Sequence, residues 1–105
     1  MKYEVMYAAR AKRDLRDIYI YISENIQEPE TSKKQIRRIM HAIRTLDEMP
    51  KRHRLYDDGK WQSEELRFLQ IDNYLAFYLI DEIAKAVKIV RIVYGKRDIR
   101  KQFNE

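Results

Sequence analysis

The sequence contains no cysteine. That removes disulfide stapling, thiol nucleophiles and thiolate metal sites together. Histidine is almost as scarce. His41 and His53 are the only two, and neither sits in a carboxylate cluster able to complete a zinc site, so neither a metal nor a cofactor is expected. Glycine and proline number two each, which leaves few natural breaks and predicts regular structure everywhere except from Pro50 to about Glu64. No apolar run approaches the ~20 residues needed to cross a bilayer. The opening Met1-Lys2-Tyr3-Glu4-Val5 lacks the apolar core of a signal peptide, so a cytoplasmic protein with no membrane contact is expected.

Among what is present, hydrophobic residues make up 45% of 105 residues, enough for one modest core and too many for a disordered chain. Residues 1–105 are therefore read as one domain. Lys and Arg number 22 against 17 Asp and Glu, a net charge of +5. That balance favours an anionic partner, either nucleic acid or an acidic protein.

Apolar periodicity sets the elements. Tyr3, Val5 and Tyr7 alternate with Glu4 and Met6, the period of a strand. From Ala8 the period lengthens: Ala8, Ala11, Leu15, Ile18, Tyr19, Ile22 and Ile26 share one helical face. Ile20 falls on the outer, charged face. Asn25 to Glu28 reads as a turn, and Pro29 suits the first position of a second helix. Ile36, Ile39, Met40, Ile43 and Leu46 continue at helical spacing until Pro50, which places the helix end near Met49. Three β-rich runs follow, Leu66–Ile71, Tyr74–Ile80 and Val87–Tyr94, joined by Asp72-Asn73 and by Asp81–Lys85. Connections this short make an antiparallel meander. The expected fold is α+β: an N-terminal strand, a two-helix antiparallel hairpin, then a three-stranded antiparallel meander, forming one sheet with the hairpin on one face.

This order resembles the RelE/ParE superfamily of toxins from bacterial type II toxin–antitoxin systems. The resemblance rests on Leu66-Arg67-Phe68-Leu69, on Asp72-Asn73-Tyr74-Leu75-Ala76-Phe77-Tyr78, and on Val90-Arg91-Ile92-Val93-Tyr94-Gly95-Lys96-Arg97-Asp98. Ala11-Lys12-Arg13-Asp14-Leu15 with Ile18 and Tyr21-Ile22 is similar to the first helix of ParE-like members. The resemblance implies a toxin neutralised by a cognate antitoxin in a heteromeric complex. Its target is either DNA gyrase, poisoned by ParE-like members, or ribosome-bound mRNA, cut by RelE-like endoribonucleases. Outside toxins, a small basic RNA-binding module is the remaining reading.

Candidate site residues follow from both arguments. Metal-free RNA cleavage needs proton transfer at two oxygens and stabilisation of the phosphate. Arg67 and Arg97 are the expected phosphate ligands, with His53 or Tyr94 moving protons. The structural alternatives are an ion pair for Arg67, a solvated basic tail for Arg97, a solvated loop histidine, and sheet packing for Tyr94 as for Tyr78. Arg91 and Lys96 are expected to meet the target, with a buried ion pair as the alternative for Arg91. Ile20, Tyr21, Arg13 and Arg16 are expected to contact the antitoxin, with Arg37 and Arg38 adding charge complementarity. Trp61 is read as a packing anchor of the long loop.

The resemblance also carries departures. RelE-like ribonucleases bear two lysines where Leu66 and Phe68 stand here, an arginine where Leu75 stands, and a C-terminal tyrosine where Phe103 stands. These substitutions favour the ParE-like reading.

Overall fold

The computed structural model describes residues 2–26, 28–56 and 64–95. Strand β1 (Glu4–Tyr7) leads into helix α1 (Ala9–Ile26), then α2 (Pro29–Arg44), two single 3₁₀ turns (Thr45–Asp47 and Pro50–Arg52), and strands β2 (Arg67–Ile71), β3 (Tyr74–Asp81) and β4 (Ala86–Tyr94). The sheet order is β1-β4-β3-β2. Strands β2, β3 and β4 form the expected antiparallel meander, and β1 adds to its far side parallel to β4, Glu4 opposite Ala86 and Tyr7 opposite Ile89.

The helical hairpin covers one face. Ala11, Ile39, Ile43 and Leu46 from the helical half bury against Ile71, Ala76, Tyr78, Val87, Ile89 and Ile92 from the strands. Between the helices the Oγ atoms of Ser23 and the fully buried Ser32 hydrogen-bond at 2.8 Å, a polar stitch on an otherwise apolar seam. Helix α2 ends at Arg44, not near Met49 as its periodicity suggests. Thr45 N–H reaches back to Ala42 O and Ile43 O and its hydroxyl donates to Ala42 O, tightening the chain into a 3₁₀ turn that still carries Leu46 into the core. Proline sets only an outer limit to a helix; the side chains ahead of it decide where the turn tightens.

A β-bulge in β4 explains the apolar spacing of that strand. Tyr78 faces Ile89 and Phe77 faces Arg91, so Val90 is extra. One added residue reverses the in–out alternation. Val87 and Ile89 face the helices before the bulge and Ile92 after it, while Val90 and Val93 pack on the opposite side.

That opposite side is the second core of the molecule. Leu66, Phe77 and Val93 are buried there, with Tyr56, Phe68, Leu75, Leu79 and Val90 packed around them. Tyr56 stands edge-on to Phe77 at 5.1 Å between centroids, a favourable aromatic geometry. The segment from Arg54 to Tyr56 runs along the β2 edge: Leu55 bridges to Arg67, Tyr56 N–H donates to Leu66 O and Phe68 N–H to Arg54 O. The sheet is thus apolar on both faces, where one covered face was expected.

Candidate functional site

Two of the four expected catalytic residues come together, in an unexpected way. Arg67 opens β2 opposite Tyr78 of β3. Its guanidinium donates through Nη1 to His53 O at 2.7 Å and to Lys51 O at 3.1 Å. The Tyr78 hydroxyl, fully buried, donates to Pro50 O at 2.6 Å. Arg52 gathers the carbonyls of Thr45 (3.2 Å), Glu48 and Met49 (3.1 Å) and the Thr45 hydroxyl. Three side chains therefore take up the main-chain carbonyls of the loop from Thr45 to His53. The Tyr78 bond to Pro50 O is buried, where a carbonyl without a donor would be costly, while the Arg52 bonds lie at the surface. This grip also holds Met49, just before Pro50, at a left-handed φ of 48° that a non-glycine residue adopts only under constraint. Arg67 thus makes neither a carboxylate pair nor an open phosphate clamp through Nη1; that nitrogen organises a loop.

His53 lies in the same cluster, its ring edge-on to Tyr78 at 6.4 Å. Burial, helped by the nearby Arg52 charge, holds its pKa below the ordinary histidine value. The shift favours the neutral imidazole, and its Nε2 is buried without a hydrogen-bond partner among the described residues. Tyr94 stands elsewhere, at the other end of the sheet, opposite Tyr74 with ring centroids 5.6 Å apart. His53, Arg67 and Tyr94 do not converge on one point, and Arg97 and Lys96 lie outside the described residues, as do Trp61 and Phe103.

Burial pushes the Tyr78 phenol up to about 12, against the weaker opposing pull of Arg67 and Arg52. In the unfolded chain the same phenol ionises near 10. Tyr78 therefore supports the fold fully below pH 10 and progressively less as pH climbs toward 12. Urea midpoints at pH 8 and pH 11 are expected to fall further for the wild-type chain than for Tyr78→Phe, which has no proton to lose. Equal falls would deny Tyr78 this role.

Arg91 corrects the expectation that it meets a target. Its Nε donates to Asp14 Oδ2 at 2.9 Å and its Nη2 to Asp14 Oδ1 at 3.3 Å, with both side chains buried. A guanidinium committed to a buried carboxylate is not offered to a partner. Asp14, the residue that fixes it, was not among the sequence-based candidates.

The residues expected to contact an antitoxin are exposed on the helical hairpin. Ile20 is 44% and Tyr21 55% exposed. Arg13, Arg16 and Arg37 are exposed and make no ion pair with the described residues. Met40, 41% exposed, adds apolar surface on α2. Arg38 departs from this group: it is engaged with Asp72 in the β2–β3 turn through two bonds of 2.8 and 2.9 Å. Among the described residues no three His, Asp or Glu side chains converge as a metal site, and no helix is long and apolar enough to cross a membrane.

A four-stranded sheet of order β1-β4-β3-β2 with an α-hairpin on one face is the fold that the RelE/ParE resemblance implies. Solved structures show the same fold. The chromosomal ParDE TA system from P. aeruginosa superposes with a TM-score of 0.75 at 18% identity, covering 90% of this chain and 98% of that one. The toxin–antitoxin complex RelBE2 from Mycobacterium tuberculosis gives 0.63 at 19% identity, covering 90% and 92%. The archaeal RelE–RelB complex from Pyrococcus horikoshii OT3 gives 0.63 at 16% identity, covering 93% and 100%. No curated protein matches the sequence. The family model for the ParE toxin of type II toxin–antitoxin systems, parDE, matches residues 5–99, and the chain belongs to that family.

Proposed function

We propose that this toxin acts in the ParE manner, by binding and poisoning DNA gyrase without chemistry of its own, and that a cognate antitoxin silences it. The observation that carries this reading is the outer face of the sheet. Leu66, Phe68 and Leu75 stand where the RelE-like ribonucleases bear lysine, lysine and arginine, and all three belong to one apolar cluster around Phe77 and Val93. The side chains at these three places carry no charge with which to stabilise a phosphorane and no proton to give a leaving oxygen. The ribonuclease reading is weakened further by Arg67, whose Nη1 serves loop carbonyls, and by Tyr94, which sits at the far end of the sheet.

Controlled expression in a bacterium tests the reading. Growth is expected to arrest, and co-expression of the antitoxin to restore it. In parallel assays, supercoiling by gyrase is expected to fail while mRNA on ribosomes stays intact. Ribosome-dependent cleavage with unaffected supercoiling would reverse the assignment. Normal growth at high soluble expression would remove the toxin activity altogether.

The antitoxin is expected to be acidic and to lie across the hairpin, where Arg13, Arg16 and Arg37 want counter-charges and Ile20, Tyr21 and Met40 offer apolar contact. The outer edge of β1 is a second docking element. Among the described residues it has no neighbouring strand in the sheet, and unpaired edges invite strand addition. In a titration with antitoxin, Ile20→Asp is expected to weaken binding by a factor of about ten or more, roughly 1.4 kcal/mol. Unchanged affinity would take this helix face out of the interface.

A further inference from the structure

Strand β4 is longer than its neighbour. It runs from Ala86 to Tyr94, but β1 pairs with it only as far as Ile89, and Ala8 N–H makes the last main-chain bond, to Ile89 O at 2.8 Å. There the chain leaves the sheet and becomes α1. Beyond that point no strand among the described residues lies on this side of β4, and the bulge at Val90 has just reversed which main-chain groups point that way. Ile92 N–H is one of them. Its acceptor is Asp14 Oδ2, 2.9 Å away, reached from the second turn of α1.

Asp14 does more than accept that one bond. Oδ2 also receives Arg91 Nε at 2.9 Å, Oδ1 receives Arg91 Nη2 at 3.3 Å, and Arg10 Nε lies 3.4 Å from Oδ1. Asp14 is 6% exposed and Arg91 8%. A carboxylate this deep is stable only when its lone pairs are taken up by several donors. Here the main chain of β4 and the side chain next to it supply them together.

We propose that Asp14 is a positioning residue: its carboxylate substitutes for the missing continuation of β1 and clamps the last third of β4 to α1. The clamped stretch ends at Tyr94 and Gly95, where Gly95 N–H closes onto Asn73 O at 2.8 Å, and the next residues in sequence are Lys96 and Arg97. A Cβ at Gly95 would stand 3.2 Å from Leu75 Cγ, close enough that Leu75 would have to give by a few tenths of an ångström. Asp14 on one side and Asn73 on the other thus hold the end of β4 and Gly95 in place. The consequence for inhibition rests on the toxin reading above; the clamp itself does not.

Amide hydrogen exchange on the whole chain separates a local clamp from general stabilisation. In Asp14→Ala the Ile92 amide is expected to exchange about tenfold faster or more, relative to the Val87 and Ile89 amides of the same strand, because an amide bonded to a charged acceptor loses it. Asp14→Asn keeps an acceptor oxygen but not the charge, and is expected to retain part of that protection. Ile43→Val, which weakens the core without touching the clamp, is expected to accelerate all three amides alike. If Asp14→Ala also accelerates all three alike, or leaves Ile92 unchanged, the clamp is refuted. Should Asp14→Ala fail to fold, the same ratio measured in Asp14→Asn decides. Growth inhibition by the folded variant is expected to fall by about tenfold or more while Ile43→Val remains toxic. Full toxicity with a released Ile92 would overturn the positioning role. A wild-type chain that does not inhibit growth would instead overturn the toxin reading and leave the exchange result standing.

Discussion

Leu66→Lys is expected to cost on the order of 3–5 kcal/mol, a large share of what holds a domain of this size together. Leu66 is fully buried against Phe77 and Val93. An ammonium placed there loses its hydration and meets no carboxylate among the described members of the cluster, so it either stays charged at that cost or forces the cluster open. The substitution also installs the residue type that RelE-like ribonucleases bear at this place. If the outer face were a disused version of their site, lysine would be tolerated. Urea unfolding decides, with Leu66→Met as the conservative control, expected to lose less than about 1.5 kcal/mol. Equal midpoints for the two variants would show that this face is open enough to carry charge, and would revive the ribonuclease reading.

Ile39→Ala is expected to remove about 2–5 kcal/mol from the helix-side core. Ile39 is completely buried where α2 crosses the sheet, and its neighbours in the cluster come from both layers, Ala11, Ile43 and Leu46 on one side and Ile71, Ala76 and Tyr78 on the other. Truncation leaves a cavity that the sheet and the α1–α2 seam, held by Ser23 and Ser32, cannot easily close. For a domain near 100 residues each 1 kcal/mol shifts Tm by roughly 4–8 °C, so a fall of some ten degrees or more is expected in a thermal scan. Met40→Ala, one residue away and 41% exposed, is expected to stay within about 0.5 kcal/mol of wild type. Comparable losses at the two positions would mean that the hairpin is not seated on the sheet as described.

The contrast between those neighbours was legible in the sequence, because burial on one face imposes a period. The alternation of Tyr3, Val5 and Tyr7 predicts a strand, and all three pack against the core, Val5 and Tyr7 from β1 and Tyr3 from the residue before it. Ile20 was placed on the outer face of the first helix, and it is exposed. Asp14 was missed although its signal was present. It lies three residues after Ala11 and four before Ile18, on the apolar stripe, where an aspartate without a partner is too costly to keep. The spacing of Val87, Ile89 and Ile92 likewise encodes the bulge. Arg67 and Arg52 are a different matter. Their bonds to main-chain carbonyls of the Thr45–His53 loop have no counterpart in residue types, since every residue carries the same carbonyl. A basic residue that grips backbone cannot be told from one that awaits a phosphate until the loop has a shape.

The parallel pairing of β1 with β4 has a consequence for how the molecule comes into being on the ribosome. Glu4 waits for Ala86, so one of the first segments synthesised finds its hydrogen-bonding partner only after nearly the whole domain has been made. The helical hairpin, built from contacts between adjacent segments, can collapse early; the sheet cannot close its edge until translation has delivered its final strand. Long-range pairing of this kind slows folding because the intervening chain must be ordered first. A nascent chain halted before β4 lacks the strand that joins β1 to β3 and leaves Asp14 without Arg91 and Ile92 to hold. The capacity to harm the cell therefore arrives late in synthesis and all at once.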